Sequence, residues 1–306
     1  MSKIAFVFPG QGSQKIGMLE SWGDKLSETF KIASEVLGYD LWKLIQDGPE
    51  ERLNQTEYTQ PAILTSSLAM WFLAKKRGAA PDCVAGHSLG EYSALVAAEV
   101  LSFEDAVSLV QKRGKFMQSA VPIGRGGMAA ILGLEDEIVV EICRTCSKTD
   151  VLETANFNSP GQVVIAGHTG ALNRAIEACK AAGAKRAILL PVSAPFHCRL
   201  MEPAAAEMAN ILNNTCLKEP SIELLQNVDA RYAKTVEDIR YNLVAQMSKA
   251  VLWTPTIQNM VSDGVGTVVE CGPGSVLSGL SRRIDKSVRA LSFSSEKDMR
   301  SVLDTL

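Results

Sequence analysis

The sequence predicts an α/β protein whose parallel sheet carries helices on its faces and whose chain is interrupted by a smaller domain of βαββαβ order. Short apolar runs alternate with helical stretches in both end segments of the 306-residue chain, and this pattern changes in between. Strands that alternate with helices usually form a parallel sheet covered by those helices. We therefore assign residues 1–124 and 194–306 to the larger domain and residues 125–193 to the inserted one.

The first segment supplies two predicted strands. The apolar run from Lys3 to Phe8 is the first strand, and helical stretches follow a glycine turn and continue to about Gly78. The run CVAGH is the next buried strand, and a helix follows it up to Val100. A further helix is expected after Ser102, because serine is a common residue at helix N-termini.

The inserted segment has a different order of elements. Six runs read as strand, helix, strand, strand, helix and strand: GMAAILG, EDEIVVEICRTC, VLETANFN, QVVIAG, TGALNRAIEACKAAG and KRAILLPV. This is the order of the split βαβ, or ferredoxin-like, motif. Helices and strands then alternate again, in PAAAEMANILNN, SIELLQNV, TVEDIRYNLVAQMSKAV, TVVECG, SVLSGLSRRI and VRALSF. Ligand sites favour domain junctions and the carboxyl ends of parallel strands, so we expect the functional site near the two joints.

Charge, hydropathy and cysteine content exclude several function classes. The net charge of -3 argues against nucleic acid as a general partner. No apolar stretch reaches the ~20 residues that cross a bilayer, so no membrane association is expected. With no export signal at its start, the chain is expected to keep its seven cysteines reduced in the cytoplasm.

Metal and nucleotide sites are not expected either. Cys143 and Cys146 form a C-x-x-C pair, but no second pair completes a tetrahedral site, and their spacing suits one turn of a core helix. The glycine-rich loop after the first strand has Lys15 where a dinucleotide fingerprint needs glycine. A tight strand-to-helix turn is the simpler interpretation of that loop.

One motif points to covalent chemistry. The pattern Gly-x-Ser-x-Gly occurs at Gly86, Ser88 and Gly90, between a predicted strand and a predicted helix. This context is typical of a nucleophile elbow, a strained turn that raises a serine oxygen into a cleft. Glycines avoid steric clashes in such a turn, and the helix N-terminus presents N–H groups to an oxyanion. Ser88 is therefore the candidate nucleophile.

A serine nucleophile needs a base, and the chain has three histidines. His87 should point away from its neighbour Ser88, and His168 reads as a capping or surface residue before a helix of the inserted domain. His197 lies in the proline-rich loop where the chain leaves that domain, so elimination makes it the candidate base. Cys198 is a weaker rival nucleophile. No acidic residue stands out before His197, and a backbone carbonyl would suffice to orient its ring.

Several motifs, taken together, resemble one family. They occur in order along nearly the whole chain: FPGQGSQ, GHSLGEYSAL, RGKFMQ, NFNSPGQVVIAG, the loop around His197, and ECGPGSVLSGL. On these motifs the sequence resembles the malonyl-CoA:acyl carrier protein transacylases of dissociated fatty acid synthesis. The resemblance implies an α/β-hydrolase-like core with an inserted ferredoxin-like domain. It also implies malonyl-CoA and acyl carrier protein as partners, with no cofactor besides the CoA thioester.

The resemblance implies catalytic roles for five residues. Ser88 would carry the malonyl group as an ester, and His197 would act first as the base and then as the acid. The backbone N–H groups of Gln11 and Leu89 resemble the oxyanion hole. The carbonyl of Gln246 would hold the His197 ring.

The resemblance also implies how the acyl group is recognised. Arg113 matches the arginine that binds the malonyl carboxylate, and a planar guanidinium can form two parallel hydrogen bonds with such a group. His87 and Asn158 match positions close to the site. Phe196, just before His197, resembles the pattern that selects malonyl over methylmalonyl groups.

Three other functions remain as alternatives. A serine thioesterase or esterase needs the same serine, base and oxyanion donors, and differs in letting water reach the acyl-enzyme. An acyltransferase of a polyketide pathway fits the same motifs. A non-catalytic scaffold is disfavoured because every matched position is intact.

A basic cluster near the end of the chain has two interpretations. Four cations lie within eight positions: Arg282, Arg283, Lys286 and Arg289. They form either a solvated helix face, which is slightly favoured, or a docking face for a carrier protein, since carrier proteins are usually acidic.

Overall fold

The structure, a computed structural model, describes residues 2–306 and contains two separate sheets. A five-stranded parallel sheet has the order β7-β2-β1-β8-β9, and a four-stranded antiparallel sheet has the order β4-β5-β3-β6. The strands are β1 (Lys3–Phe8), β2 (Cys83–Gly86), β3 (Gly126–Leu132), β4 (Leu152–Ser159), β5 (Gln162–His168), β6 (Arg186–Leu189), β7 (Glu223–Leu225), β8 (Val265–Glu270) and β9 (Arg289–Ser292). The predicted fold class is confirmed.

Helices connect the strands and cover both sheets. They are α1 (Ser27–Leu37), α2 (Leu41–Asp47), α3 (Glu50–Leu53), α4 (Thr56–Lys76), α5 (Gly90–Ala97), α6 (Phe103–Ser119), α7 (Asp136–Ser147), α8 (Thr169–Ala181), α9 (Glu202–Asn213), α10 (Val236–Gln246), α11 (Trp253–Ser262), α12 (Val276–Ile284) and α13 (Glu296–Leu303). Two short 3-10 segments cover Glu20–Leu26 and Arg199–Met201. None of the helices in the described part of the chain is both long and apolar enough to span a membrane.

The register of the parallel sheet brings two loops together at one edge. Phe8 at the end of β1 pairs with Gly86 at the end of β2. The carboxyl ends of these central strands therefore lie at the same level. The loop that contains Gln11 and the turn that contains Ser88 leave the sheet side by side, where open α/β sheets bind ligands.

The antiparallel sheet is buried on both faces. Along β5, Val163 and Ile165 pack in one core cluster with α7 and α8, while Val164 and Ala166 belong to the core of the larger domain. This alternation follows from the two-residue period of a strand. The sheet spans residues 126–189, inside the segment 125–193 that we propose as the smaller domain.

Main-chain hydrogen bonds join the segment around Val251 to the antiparallel sheet. Val251 donates its N–H to Ala155 of β4 at 2.9 Å, and its carbonyl accepts from Phe157 at 2.9 Å. The segment that follows α10 is thereby fixed against β4. This junction brings Gln246, the last residue of α10, close to the edge where the catalytic loops emerge.

Some elements differ from the prediction in extent. Strand β7 covers only Glu223–Leu225 of the run SIELLQNV, because the next two residues turn their polar groups towards buried partners. Helices α11 and α13 were not predicted. Cys143 packs in the core of the smaller domain, on α7.

Candidate active site

Ser88 lies on a strained turn between β2 and α5. Its φ angle is 52°, a left-handed value that non-glycine residues rarely adopt. A Cβ atom at Gly86 would overlap the backbone of Gly90, and one at Gly90 would overlap the carbonyl of Phe8. The Ser88 N–H donates to Asn227 Oδ1 at 2.7 Å, and this bond ties the turn to the segment that follows β7. Both glycines are thus required by close packing, and the turn exposes Ser88 Oγ to a cavity.

His197 contacts Ser88 directly. Its Nε2 lies 2.7 Å from Ser88 Oγ, and its Nδ1 lies 2.7 Å from the main-chain oxygen of Gln246. A carbonyl oxygen only accepts, so Nδ1 carries the hydrogen and Nε2 is left to accept from the serine hydroxyl. Burial, and after it the positive charge of Arg113, lowers the pKa of His197 to about 3. The imidazole is therefore neutral at physiological pH, as a general base must be.

The free carbonyl at Gln246 follows from helix geometry. Gln246 ends α10, and the last carbonyls of a helix have no partner within it. The carboxyl end of a helix also carries partial negative charge, which favours a cation beside it. The orienting group for His197 is therefore a helix terminus rather than a carboxylate.

Arg113 is a buried cation next to the serine. It lies on α6 and is 1% exposed. Its Nη2 donates to Gln246 Oε1 at 2.7 Å and to Ser88 Oγ at 3.2 Å, and its Nη1 donates to Gln60 Oε1 at 2.9 Å. None of the ion pairs formed by residues 2–306 involves Arg113. A neutral amide cradle holds the guanidinium, so its charge is available to an anionic group of a ligand.

Gln11 and Leu89 stand on either side of the serine turn. Gln11 follows β1, Leu89 immediately precedes α5, and both line the cavity. Among residues 2–306, no protein acceptor receives the main-chain N–H of either residue. The N-terminus of α5 adds partial positive charge at this point. These two N–H groups can therefore serve a developing oxyanion.

The remaining candidates lie at the cavity or one residue away. His87 Nε2 lies 2.8 Å from Asn158 Oδ1, and burial lowers the pKa of His87. Asn158 reaches the site through this contact, while Asn156, two residues earlier on β4, lines the cavity itself. Phe196 is 6% exposed and forms part of the apolar wall.

The cavity has a polar end and an apolar wall. Its volume is about 430 Å³. Its lining comprises Gln11, Gly12, Gln14, Asn54, Gln60, His87, Ser88, Leu89, Arg113, Met117, Met128, Asn156, Leu190, Pro191, Val192, Phe196 and His197. Leu190, Pro191 and Val192 come from the joint that follows β6. The site is thus built between the two sheets, at the carboxyl ends of the parallel strands.

Cys198, the rival nucleophile, and His168, the third histidine, do not line the cavity. Cys198 is fully buried, its Sγ–H donates to the carbonyl of Pro195 at 3.2 Å, and burial raises its pKa to about 12. A thiol with such a pKa is protonated and unreactive at neutral pH. His168 accepts from the Val151 N–H at 3.0 Å, within the smaller domain.

The basic cluster lies at the opposite end of the parallel sheet, near the amino ends of its strands. Arg289 begins β9 and pairs with Thr267, near the amino end of β8, whereas Ser88 follows the carboxyl end of β2. Arg282 and Arg283 occupy the last turn of α12 and donate to the carbonyl of Ala290 and to Gln162 Oε1. None of these arginines lines the cavity. The interpretation as a solvated face fits this position better than carrier docking.

Three polar residues of the site were not singled out in the sequence: Gln60, Glu91 and Asn227. All three are buried, with exposures of 1%, 0% and 0%. Gln60 lies near the polar start of α4, before the apolar part of that helix begins, so no local pattern identifies it. Glu91 and Asn227 make sense only once the elbow is folded, because their partners come from distant segments.

Comparison with known proteins gives a family for this architecture. Residues 5–299 match the family model of the acyl transferase domain. The malonyl CoA-acyl carrier protein transacylase of Haemophilus influenzae is 49% identical over 311 residues and covers 100% of both chains. The transacylase of the same name from Bacillus subtilis is 42% identical and covers 100% of this chain and 98% of its own.

Solved structures share the complete fold. An acyl carrier protein S-malonyltransferase from Vibrio cholerae has a TM-score of 0.96 at 48% identity, covering 98% of this chain and 100% of its own. A malonyl-transacylase solved in complex with its type II polyketide acyl-carrier protein has a TM-score of 0.98 at 47% identity, covering 100% of both. The likeness therefore includes both sheets.

Proposed function

The chain belongs to the acyl transferase family, among its malonyl CoA-acyl carrier protein transacylases, and on this basis we propose that it is an S-malonyltransferase of fatty acid biosynthesis. It moves a malonyl group from malonyl-CoA to the phosphopantetheine thiol of an acyl carrier protein. The observation that carries this proposal is the buried Arg113 guanidinium, whose Nη2 lies 3.2 Å from Ser88 Oγ. A fixed cation at that distance suits an acyl group that ends in a carboxylate.

In the first half of the reaction, Ser88 is the nucleophile. Its Oγ attacks the thioester carbonyl carbon while His197 Nε2 accepts the hydroxyl proton. Electrons of the carbonyl move to its oxygen, and the N–H groups of Gln11 and Leu89 are the proposed donors to that oxyanion. Collapse of the tetrahedral intermediate breaks the C–S bond. The imidazolium returns the proton to the CoA thiolate, and malonyl-Ser88 remains.

The second half reverses these roles. The thiol of the carrier's phosphopantetheine gives its proton to His197 and attacks the ester carbonyl of malonyl-Ser88. The oxyanion forms at the same donors, the C–O bond breaks, and the imidazolium protonates Ser88 Oγ. Free enzyme and malonyl carrier result, which is a ping-pong sequence in which one base serves both thiols.

Arg113 has the role of substrate recognition. Gln60 and Gln246 hold its guanidinium in place with neutral oxygens, so the cation is oriented before the substrate enters. A carboxylate that pairs with it in this buried site gains charge-assisted hydrogen bonds. An acetyl group has no carboxylate and therefore forms no such bonds with Arg113. This difference is the proposed basis of selectivity for malonyl groups.

The cavity walls and the chemistry complete the proposal. Phe196 lines the apolar wall of the cavity, and its ring is the proposed reason why malonyl is preferred to branched acyl units. Serine, imidazole and main-chain donors carry every step written above, so no cofactor besides the CoA thioester is proposed.

We propose a cytoplasmic location, supported by an odd number of scattered cysteines that suits a reducing compartment.

A panel of acyl-CoA donors tests this function. The purified protein is incubated with holo acyl carrier protein and malonyl-, methylmalonyl-, acetyl- or butyryl-CoA, and acylated carrier is measured by mass spectrometry. We expect the malonyl carrier to form fastest. Preferential transfer of an uncharged acyl group, or release of the free acid without transfer, would contradict the proposal.

A further inference from the structure

A carboxylate lies buried beneath the serine turn without a cation bonded to it. Glu91, the second residue of α5, is 0% exposed. Its Oε1 accepts from Gln226 Nε2 at 3.2 Å. Its Oε2 accepts from the Asn227 main-chain N–H at 3.1 Å and from Gln246 Nε2 at 2.8 Å. Burying a carboxylate is costly unless hydrogen bonds offset it, so a buried one calls for an explanation.

The surroundings of Glu91 suit an acceptor. All three partners present N–H groups, and an ionised carboxylate is the side chain that only accepts. Burial raises the pKa of Glu91 to about 7 even though the hydrogen bonds from Gln246, Gln226 and Asn227 and the charge of Arg113 act in the opposite direction. The arrangement of donors is therefore matched to the ionised form.

One of these donors, Gln246, serves both functional groups of the site. Its main-chain oxygen accepts from His197, and its side-chain Oε1 accepts from Arg113. Its Nε2 donates to Glu91 and, at 2.9 Å, to the main-chain oxygen of Ser88. A glutamine amide can turn over and exchange its oxygen and nitrogen. Ionised Glu91 and the Ser88 carbonyl only accept and Arg113 only donates, so these three groups together hold the orientation in which Oε1 faces Arg113.

The second donor, Asn227, ties Glu91 to the serine turn itself. Its Oδ1 accepts from the Ser88 N–H, and its Nδ2 donates to the carbonyl of Gly86 at 2.7 Å. Both bonds depend on the position of the Asn227 main chain, which Glu91 holds. One carboxylate thus fixes the nucleophile from one side and the guanidinium, through Gln246, from the other.

We propose that Glu91 is a positioning residue for malonyl transfer, which anchors the Gln246 amide at Nε2 and thereby fixes the pose in which Arg113 meets the substrate carboxylate. The proposal rests on the proposed function. It makes the choice of acyl group depend on a residue that is separated from the substrate by Gln246. Glu91 then matters more for malonyl than for acetyl groups, which a role in stability alone would not produce.

The test compares two variants of Glu91. Glu91→Asp keeps the charge but withdraws the carboxylate by one methylene group from Gln246. Glu91→Gln keeps the length and an oxygen, which we expect at the Oε2 position because two donors converge there. Glu104→Asp, at an exposed position in the first turn of α6, is the matched control. For each protein, kcat/KM of Ser88 acylation is measured with malonyl-CoA and with acetyl-CoA, together with the melting temperature.

The ratio of the two kcat/KM values is the readout. We expect Glu91→Asp to lower the malonyl-to-acetyl ratio about tenfold, the effect of losing one hydrogen bond to a charged group. Glu91→Gln should stay within about threefold of the wild-type ratio, and Glu104→Asp should match it. A lower melting temperature with an unchanged ratio in Glu91→Asp would overturn the proposal, as would equal losses for both acyl donors.

A double-mutant cycle identifies the path of the effect. Gln246→Met removes the amide but keeps the main-chain oxygen that holds His197. In this background Glu91→Asp should cause no further fall in the ratio, since the two residues act through one contact. Independent, multiplicative falls would contradict the role of Gln246. The wild-type protein tests the proposed function separately, because failure to accept malonyl from malonyl-CoA would refute that function whatever the variants do.

Discussion

His197 Nδ1 lies 2.7 Å from the main-chain oxygen of Gln246, at the position where a Ser–His–acid triad would have a carboxylate. The carbonyl fixes the tautomer as an acid would, and the carboxyl end of α10 supplies only partial negative charge. The imidazolium that forms during reaction is therefore less stabilised than in a triad. A short-lived imidazolium suits a transferase in which the same residue must return its proton to a thiolate.

Removal of the guanidinium should change the acyl preference. Arg113→Ala should lower kcat/KM for malonyl-CoA about 100-fold, since two charge-assisted bonds to the carboxylate are lost. Acetyl transfer should fall much less, because the acetyl group has no carboxylate that could bond to Arg113. Rates of Ser88 acylation with the two donors measure this. Equal losses for both donors would remove the carboxylate role.

The pH dependence of acylation should reflect the low pKa of His197. Only neutral imidazole accepts the Ser88 proton, and its pKa is lowered to about 3, so protonation disables the base only as the pH falls towards 3. Acetyl-CoA serves as the donor, because its acyl group leaves Arg113 unengaged. In Glu91→Gln, which removes the neighbouring carboxyl group whose pKa burial raises to about 7, we expect the acylation rate to change less than about twofold between pH 8 and pH 5. A fall centred near the ordinary histidine pKa of about 6.5 would contradict the buried, neutral base.

The serine turn should not tolerate a side chain at its second glycine. Gly90→Ala puts a Cβ into the Phe8 carbonyl and should destabilise the fold by about 3 kcal/mol or prevent folding. Gly279→Ala, on α12, is the control, because a Cβ there meets no atom within 4 Å. It should stabilise the protein by up to about 1 kcal/mol. Urea unfolding of both variants measures this, and similar values for the two would contradict the packing argument.

The basic cluster should contribute little to carrier binding. Arg282→Glu combined with Arg283→Glu reverses two charges near the amino ends of the parallel strands, whereas Ser88 lies at their carboxyl ends. We expect KM for the carrier protein to stay within about twofold of wild type, because exposed charges at this distance are screened by salt. Steady-state kinetics at two salt concentrations check this. A selective, salt-dependent rise in KM for the carrier would instead identify this face as the docking surface.

The fold was predictable because its elements carry strong local signals. Alternating strands and helices and the change of order at residue 125 are visible in apolar runs alone. Helix α11 begins with the buried Trp253 and carries Pro255, so its start does not resemble a helical pattern. The shortness of β7 depends on bonds from Gln226 and Asn227 to a distant carboxylate, which no local pattern reveals.

The candidate site was predictable only in part. Ser88 has a motif, and His197 follows by elimination among three histidines. The group that orients the His197 ring is a main-chain carbonyl. Every residue has such a carbonyl, so only the family resemblance pointed to Gln246. Arg113 looks like any helix arginine until the fold buries it to 1% exposure. Residues that act through contacts between distant segments are those that a single sequence hides.

The most direct test of the account is the site and fate of the acyl group. The protein is mixed with malonyl-CoA without acceptor, digested, and mapped by mass spectrometry, and then holo acyl carrier protein is added. We expect malonate on Ser88 alone, stable until the carrier removes it and becomes malonylated itself. An unmodified protein, a label on Cys198, or an ester that water releases before the carrier is added would contradict the account.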